Sequence, residues 1–528
     1  MTESLPQPPT DPEAGSNLKG AAAGAGWTYL LDRLDLGGVL CVGQPSRATL
    51  ATLERIATRV EVMEHDALLD LPVEAFDLAY VSASGRMALE TTEVCTSIVK
   101  SLTSGGQLFV EGRRSAQLAG ALCDAGLNPV EMLWMTPARG EMRSAVPLDD
   151  EPIREFFVRR GLTVPSMHRA LRIFDRLLPI TASRNRTGIL ATRAGSAGPS
   201  SASVPAYVRD LAAAGGVDLS SHRFGLSARG RYNSRKVVLY LFAPGARQPE
   251  LIVKATRDAT QNERLENEER ALRRVAELGL VEAGTAPAVV FSGEHGGLKI
   301  LAETALEGEM LSSRADPSGI SAAYAWLTEL SAGSARRDPN ATAAAVSMLE
   351  GVESAVSRIY SLDRVTRDRL RRATATLTDT ADRLPTVFAH GDAATWNAML
   401  RDDGRVAFLD WEAADVAGVP LWDLFYFARS HVLDQARLRR QARRPVTLIR
   451  RLLGDDDLGH AVESYCRRLD IPTGIVTPLF SLCWAHRALR EVTRLRVEHL
   501  SEGHYFGLLK ASLDANLSAR WNQPPRTK

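Results

Sequence analysis

Cysteine, net charge and long apolar runs are all scarce in this chain of 528 residues. No uncharged apolar run approaches the roughly 20 residues that are needed to cross a bilayer. A formal net charge of +1 gives no global drive toward nucleic acid or an anionic membrane, so we expect no nucleic-acid partner. The cysteines are odd in number and never form a CxxC pair, which argues against a disulfide framework or a zinc site: Cys41, Cys95, Cys123, Cys466 and Cys483. With no apolar signal segment near the start, we expect a cytoplasmic protein.

The length of the chain predicts more than one domain. Residues 1–20 carry too little apolar surface to offset the entropy of ordering, which predicts a disordered tail. A stretch rich in Ala, Gly and Ser ends at Pro205 and predicts a linker over 197–205. We therefore expect one domain over 21–196 and a second over 206–528.

Short apolar strands alternate with helical patterns in the first domain, which predicts a parallel, Rossmann-like α/β sheet. Three segments, VLCVG, FDLAYV and LTSGGQLFVEG, give residues 25–195 a degenerate resemblance to class I S-adenosylmethionine-dependent methyltransferases. That family has a GxGxG loop after its first strand, whereas Gln44, Pro45 and Ser46 follow Gly43 here. Asp66 could contact an adenine, but a solvated strand-end carboxylate is the simpler interpretation. We expect a catalytically silent scaffold that does not bind S-adenosylmethionine.

The second domain opens with strands, one helix and more strands, and continues as a long helical region. Lys254 ends the apolar run LIVK, and Glu268 and Glu269 lie in the helical pattern QNERLENEERALRRVAEL. This order predicts an α+β fold with a small nucleotide-binding lobe over 206–305 and a large helical lobe over 306–528.

The segment HGDAATWNAMLRDDGRVAFLDWE, residues 390–412, contains the most informative spacing in the chain. Phosphoryl transfer needs a carboxylate that orients the attacking hydroxyl and oxygen ligands for magnesium. Asp392 and Asn397 repeat the H-x-D-x-x-x-x-N spacing of kinase catalytic loops, and Asp410 stands where kinases have DFG. The Asp403-Gly404 pair predicts a hairpin that brings Asn397 and Asp410 together.

With PLWDL just beyond, this pattern resembles the aminoglycoside phosphotransferase and choline kinase-like family over residues 206–528. The resemblance implies a protein-kinase-like fold and an ATP- and Mg²⁺-dependent transfer of phosphate to a small-molecule hydroxyl. It further implies one role for each of nine residues: Asp392 as catalytic base; Asn397 and Asp410 as magnesium ligands; Lys254, its helix partner Glu268, Gly230 and Asn233 around the nucleotide; His390 and Asp423 as structural supports of the site. Glu269 is a close competitor of Glu268 for the role of helix partner.

Each of these residues also has a plainer interpretation. Lys254 alone would be a strand-end lysine that reaches water, and Glu268 or Glu269 alone would belong to a solvated helix face, paired with Arg264 or Arg273. Two other functions therefore stay open: an enzyme that also transfers methyl groups, and a non-catalytic binding protein that uses both folds.

The acceptor stays unnamed, because a sugar, an amino alcohol, an aminoglycoside-like compound or a lipid-linked precursor would each fit. Seven arginines between Ala436 and Arg451 favour an anionic or neutral acceptor if part of that segment faces the cleft. A peripheral contact with anionic lipid through Arg437–Arg451 is an alternative.

Overall fold

The structure is a computed structural model that describes residues 25–64, 67–112, 116–136, 142–163, 187–193, 204–228, 236–313, 316–492, 495 and 497–514. The predicted tail over 1–20, most of the predicted linker, Asp66, Gly230 and Asn233 lie outside these residues. The chain divides into two compact units. The sheet unit contains Glu13–Leu265 and Val289–Ala305, and the helical unit contains Glu266–Ala288 and Leu306–Lys528. Among the described residues, no helix combines the length and the hydropathy that crossing a bilayer requires.

Within its described residues, the sheet unit contains twelve strands and five complete helices. The strands are β1 Leu36–Val42, β2 Ala57–Met63, β3 Phe76–Val81, β4 Leu102–Gly112, β5 Leu127–Thr136, β6 Ser144–Pro147, β7 Thr187–Arg193, β8 Arg223–Ser227, β9 Lys236–Phe242, β10 Leu251–Thr256, β11 Val289–His295 and β12 Leu298–Thr304. The helices are α1 Arg47–Ile56, α2 Thr92–Ser101, α3 Ala116–Asp124, α4 Glu151–Arg159 and α5 Ala206–Ala214. Helix α6, Asn262–Glu277, begins in this unit and ends in the helical unit.

All twelve strands form one sheet in the order β11-β12-β10-β9-β8-β6-β5-β7-β4-β3-β1-β2. Only β2, β1, β3 and β4 pair in parallel, as the alternation of strands and helices predicted. The remaining pairs, including those of β7 with β4 and β5, are antiparallel. The sheet is therefore mixed rather than wholly parallel.

The predicted boundary over 197–205 does not coincide with the division between the units. Strand β6 pairs with β8 through Ser144 with Ser227 and Ala145 with Leu226. This pairing joins the strands of the predicted first domain to those of the predicted small lobe in one sheet. The division runs through the predicted small lobe, because Glu266–Ala288 belongs to the helical unit, and it falls again between Ala305 and Leu306.

The core of the sheet unit lies on both faces of the sheet. Alternate residues of β1 point to opposite sides: Val39 and Cys41 pack into one cluster, and Leu40 and Val42 into another. Strands that are buried on both faces read as continuous apolar runs, which explains the segment VLCV.

The helical unit is built around two small sheets. Strands β13 Glu309–Met310, β15 Ala398–Leu400 and β16 Val406–Phe408 form one, and β14 Val387–Ala389 pairs with β17 Asp415–Gly418 in the other. The helices are α7 Pro317–Ser334, α8 Pro339–Ile359, α9 Arg364–Thr378, α10 Trp422–Leu438, α11 Pro445–Leu453, α12 Asp456–Leu469, α13 Val476–Val492 and α14 His504–Asp514. Four of them begin after an aspartate whose carboxylate accepts a backbone N–H of the first turn: Asp316, Asp338, Asp363 and Asp455.

Candidate active site

The loop after β14 is fixed by the carboxylate of Asp423, at the start of α10. Its two oxygens accept the backbone N–H groups of His390 at 2.6 Å and Gly391 at 3.0 Å. Burial raises the pKa of Asp423, while His390, Arg487 and the two N–H donors act in the opposite direction. Gly391 has φ +77°, and a Cβ there would overlap the carbonyl oxygen of Ala413. Glycine is therefore required at this turn.

His390 connects this loop to the segment that carries Asp410. The imidazole is fully buried and packs against Trp411 with ring centroids 4.5 Å apart. Its Nδ1 accepts the backbone N–H of Asp392 at 3.2 Å, which leaves Nε2 to donate to the carbonyl oxygen of Leu409 at 3.0 Å. The histidine thus holds two site segments together.

Asp392 projects from this loop into a set of hydrogen-bond donors. The Asn397 side-chain amide donates to the carbonyl oxygen and to Oδ2 of Asp392, each at 3.0 Å. The Arg487 guanidinium lies 3.5 Å from Asp392 Oδ1 and donates to the carbonyl oxygen of Gly391 at 2.7 Å. These contacts orient the carboxylate, and they leave Oδ1 of Asn397 as the atom that could bind a cation.

The predicted hairpin brings Asn397 and Asp410 to neighbouring positions. Ala398 pairs with Phe408 across β15 and β16, and the Leu409 N–H donates to the carbonyl oxygen of Asn397 at 2.8 Å. Gly404 takes φ +81° in the turn, as the Asp-Gly signal requires.

Three carboxylates, including that of Asp410, lie close together. One oxygen each from Glu268, Asp410 and Glu412 lies within 4.8 Å of the others. Glu268 is fully buried, and its Oε1 accepts the backbone N–H of Trp411 at 3.1 Å. Clustered carboxylate oxygens are the donors that Mg²⁺ prefers, so this set fits the predicted metal. Sequence reasoning missed Glu412, although it directly follows Trp411 in the DWE motif.

Lys254 lies in the sheet unit and forms a buried ion pair. Its Nζ is 2.6 Å from Oε1 of Glu303, and both side chains are less than 10 % exposed. Lys254 pairs with Leu301 across β10 and β12, which makes Glu303 its diagonal neighbour on the same face. Sequence reasoning missed Glu303, which stands near the end of LKILAET. Glu269 forms the expected i,i+4 ion pair with Arg273, at 2.8 Å.

The loop after β1 has a different character. The N–H of Gln44 donates to Ser84 Oγ at 3.1 Å, and the N–H of Gly43 donates to the carbonyl oxygen of Met63 at 3.1 Å. Gly43 has φ +79°, and a Cβ on it would lie 2.6 Å from Ser82 Oγ and from the Gly85 nitrogen. The chain itself therefore uses these two N–H donors and packs closely around Gly43.

Comparison with known proteins places a family resemblance over the middle of the chain. Residues 238–451 match the model of the phosphotransferase enzyme family known as APH. No curated protein matches the sequence. The residues that match the family model include Lys254, Glu268 and the whole segment from His390 to Glu412.

Solved structures give weaker similarities. A choline/ethanolamine kinase family protein from Mesorhizobium loti is 16% identical, with a TM-score of 0.33, covering 55% of this chain and 90% of its own. An aminoglycoside phosphotransferase from Streptomyces rimosus, solved with ADP and streptomycin, is 18% identical, with a TM-score of 0.31, covering 50% and 92%. A phosphoethanolamine N-methyltransferase from Haemonchus contortus is 12% identical, with a TM-score of 0.20, covering 30% and 49%. Because these TM-scores are low, the family match carries the conclusion: the predicted resemblance to the phosphotransferase enzyme family is confirmed for residues 238–451, and with it the prediction of a phosphotransferase enzyme.

Proposed function

We propose that the chain is an ATP- and magnesium-dependent phosphotransferase that transfers the γ-phosphoryl group to a hydroxyl of a small molecule. One observation carries this proposal. The hydrogen-bonded pair of Asp392 and Asn397 directly precedes the first strand of one short hairpin. Asp410 and Glu412 follow its second strand and form a carboxylate cluster with Glu268. A base and a metal site that are placed together in this way provide the two groups that the transfer requires.

In the proposed reaction, the acceptor oxygen forms a bond to the γ-phosphorus while the bond to the β,γ-bridging oxygen breaks. ADP leaves, and the hydroxyl proton passes to Asp392. Asn397 and Arg487 fix the carboxylate in position, so it can orient the hydroxyl throughout the step. A loose transition state needs this orientation more than it needs a strong base.

Asp410 and Asn397 are the proposed magnesium ligands, and Glu412 and Glu268 stand close enough to Asp410 to complete the set. When bound, Mg²⁺ neutralises charge on the phosphate oxygens. We propose that Lys254 contacts the non-transferred phosphates and that Glu303 holds its ammonium group in place.

Four further residues keep the roles that the resemblance implies. Gly230 and Asn233 are proposed to border the nucleotide, and His390 and Asp423 to support the catalytic loop through the hydrogen bonds described above.

For the parallel strands β2-β1-β3-β4 we propose a degenerate methyltransferase-type scaffold without cofactor binding. The support is the use of the Gly43 and Gln44 N–H groups by the chain itself. Because no comparable set of free donors follows β1, a second, methyl-transferring activity is not favoured.

The test is calorimetry of the full chain with ATP and with GTP, with and without Mg²⁺, followed by a screen of acceptors for ADP release. We expect nucleotide binding that magnesium strengthens. Asp410→Ala should abolish that dependence, because it removes a charged oxygen ligand. Asp402→Ala, in the exposed turn of the same hairpin, is the matched control. Turnover like that of the parent in Asp410→Ala would overturn the metal assignment, and absence of nucleotide binding would overturn the proposed function.

A further inference from the structure

Two buried arginines and two tyrosines stack beside the catalytic loop and form what we term the arginine–tyrosine cluster: Arg429 and Tyr426 of α10, Arg487 of α13 and Tyr505 of α14. Each arginine is 7% exposed. The Arg487 Cζ lies 3.6 Å from the centroid of the Tyr426 ring, and the Arg429 Cζ lies 4.7 Å from that of Tyr505. The two tyrosine hydroxyls are 3.2 Å apart. Stacking on aromatic rings supports both cations but satisfies none of their N–H donors.

The two arginines differ in what satisfies them. Arg487 donates to the carbonyl oxygen of Gly391 and pairs with Asp392. Arg429 forms no hydrogen bond or ion pair with any residue that the structure describes, and its Nε is buried without a partner. Burying a guanidinium in this state is unfavourable unless an anion completes it.

A second buried polar atom without a partner belongs to His504, near Arg429. Nε2 of His504 is buried and has no hydrogen-bond partner within the described part of the chain. Burial and the charge of Arg429 lower the pKa of His504 to about 4. Asp434 interacts electrostatically with Arg429, but its carboxylate already accepts a hydrogen bond from the Thr395 hydroxyl at 2.6 Å. Burial raises the pKa of Asp434. Among the described residues, Arg429 therefore has no carboxylate within ion-pair distance, and Nε2 of His504 has no hydrogen-bond partner.

The cluster borders the position that an acceptor would occupy. Arg487 connects Tyr426 to Asp392. Trp396, between Asp392 and Asn397 in the chain, stands edge-on to Tyr426 with ring centroids 6.2 Å apart and is 40% exposed. The Tyr426 ring, whose centroid also lies 5.7 Å from the Arg429 Cζ, thus connects Asp392 and Trp396 to Arg429.

We propose that the acceptor carries an anionic group, a phosphate or a carboxylate, in addition to its hydroxyl, and that Arg429 and His504 bind that group. This proposal rests on the proposed function and narrows it. A cationic acceptor would meet two buried arginines and be disfavoured by like charge. The arginines that the sequence pointed to are different ones, since Arg437, Arg439, Arg440, Arg443, Arg444 and Arg450 are all exposed.

The experiment measures binding of matched probes to the full chain in the presence of Mg-ADP. Glycerol 3-phosphate is the anionic probe and glycerol its neutral match, and both are titrated by calorimetry. We expect saturable binding of glycerol 3-phosphate alone. Arg429→Met keeps the apolar stem but removes the charge, and it should weaken that binding by roughly tenfold or more, the equivalent of one hydrogen bond to a charged group. Arg437→Met, on the exposed end of α10, should leave it unchanged.

Vesicles separate the two sources of such a group. Phosphatidylglycerol offers a hydroxyl and a phosphate on a lipid headgroup, and phosphatidylcholine vesicles are the control without that hydroxyl. Sedimentation with phosphatidylglycerol that depends on Arg429 identifies a lipid acceptor, whereas binding of glycerol 3-phosphate alone identifies a soluble one. Either result supports the shared chemistry.

Three results would overturn the proposal: glycerol binding as tightly as glycerol 3-phosphate, an Arg429→Met variant that binds glycerol 3-phosphate like the parent, or Mg-ADP binding without binding of any anionic probe. Failure of Mg-ADP itself to bind would instead reject the proposed kinase, and the probe titrations can still be read without nucleotide. If Arg429→Met does not fold, Arg429→Lys, which retains the charge, is the second variant. The comparison of glycerol 3-phosphate with glycerol on the parent chain then still tests whether the acceptor site binds an anion.

Discussion

Gly43 and Gly391 form the same kind of tight backbone turn in two parts of the chain. Each follows a buried strand, each takes a positive φ, +79° and +77°, and a Cβ on either would meet other atoms of the chain. After Gly391, the side chains of Asp392 and Asn397 project into a site that holds further carboxylates. After Gly43, Ser84 accepts the N–H of Gln44, and Gly85 approaches closely.

The difference shows that a tight glycine turn at the end of a strand does not by itself create a functional site. The two turns differ in the side chains that follow them. A carboxylate and an amide come after Gly391, whereas the serine hydroxyls near Gly43 accept backbone N–H groups. Asp423 braces the loop through the backbone N–H groups of His390 and Gly391 and not through the side chains of Asp392 and Asn397, the proposed base and metal ligand. Near Gly43, the hydroxyls of Ser84 and Ser82 accept the backbone N–H groups of Gln44 and Gly85.

The largest expected effect is that of Asp392→Asn, which removes the base and its charge while keeping its shape. The amide oxygen can still accept from Asn397, whereas the ion pair with Arg487 is lost. Turnover should fall by roughly 10²–10⁴-fold, as is typical for loss of a general base. Affinity for the magnesium nucleotide should stay near that of the parent, because the proposed nucleotide contacts lie on other residues. Steady-state rates and calorimetry measure the two quantities, with Asp402→Asn as the control. A parallel loss of nucleotide affinity would show that Asp392 is a metal ligand or a structural support.

Alanine at the two glycines tests the comparison directly. Each substitution should lower the free energy of unfolding by about 1–3 kcal/mol, because alanine disfavours positive φ and its Cβ would meet backbone. Gly391→Ala should also reduce turnover by roughly 10²-fold by displacing Asp392. Gly43→Ala should leave turnover per folded molecule unchanged. Urea unfolding and activity assays on both variants check this, and an equal loss of turnover in the two would remove the distinction between the sites.

Two buried groups, Glu131 and His504, should make opposite contributions to the pH dependence of stability. Burial raises the pKa of Glu131, on β5, to about 8, so the native state holds a proton that the unfolded chain releases above its ordinary value of 4.5. Its contribution to stability is therefore lost as the pH rises toward 8. His504 has a native pKa of about 4 against an ordinary 6.5, so its contribution is lost as the pH falls from 6.5 toward 4.

Urea unfolding between pH 5 and 8 measures this dependence. Glu131→Gln should flatten the loss on the alkaline side, and His504→Gln the loss on the acidic side. A Glu131→Gln variant that flattens the acidic side instead would mean that the direction assigned to Glu131 is wrong.

The last prediction is that S-adenosylmethionine has no effect on the protein. Calorimetry of the full chain with S-adenosylmethionine should show no saturable heat, because the donors after β1 are already used. The full chain is the suitable sample, since β6 and β8 belong to one sheet. Saturable binding at micromolar concentration that is lost in Gly43→Ala would restore the bifunctional alternative.

Local patterns in the sequence predicted the elements that local forces determine. The Asp403-Gly404 turn, the buried strand at VLCV and the brace from Asp423 to the loop after β14 all follow from neighbouring residues or from a family motif. The pairing of Lys254 with Glu303 could not be predicted, because it depends on the register between β10 and β12. Neither could Arg429 be distinguished from the exposed arginines that follow it, because burial of a helical side chain depends on which helices pack against it.

The narrow junction between β6 and β8 has a consequence for synthesis of the chain. On a ribosome, β1 to β7 emerge first, so β6 is a free sheet edge until β8 arrives. Free edges invite pairing with other chains, and this one is short and ends in Pro147, which has no N–H to offer. Truncation between the two strands would make that transient state permanent and would expose an edge on each fragment. Expression of the whole chain, rather than of either part, is therefore the route that limits aggregation.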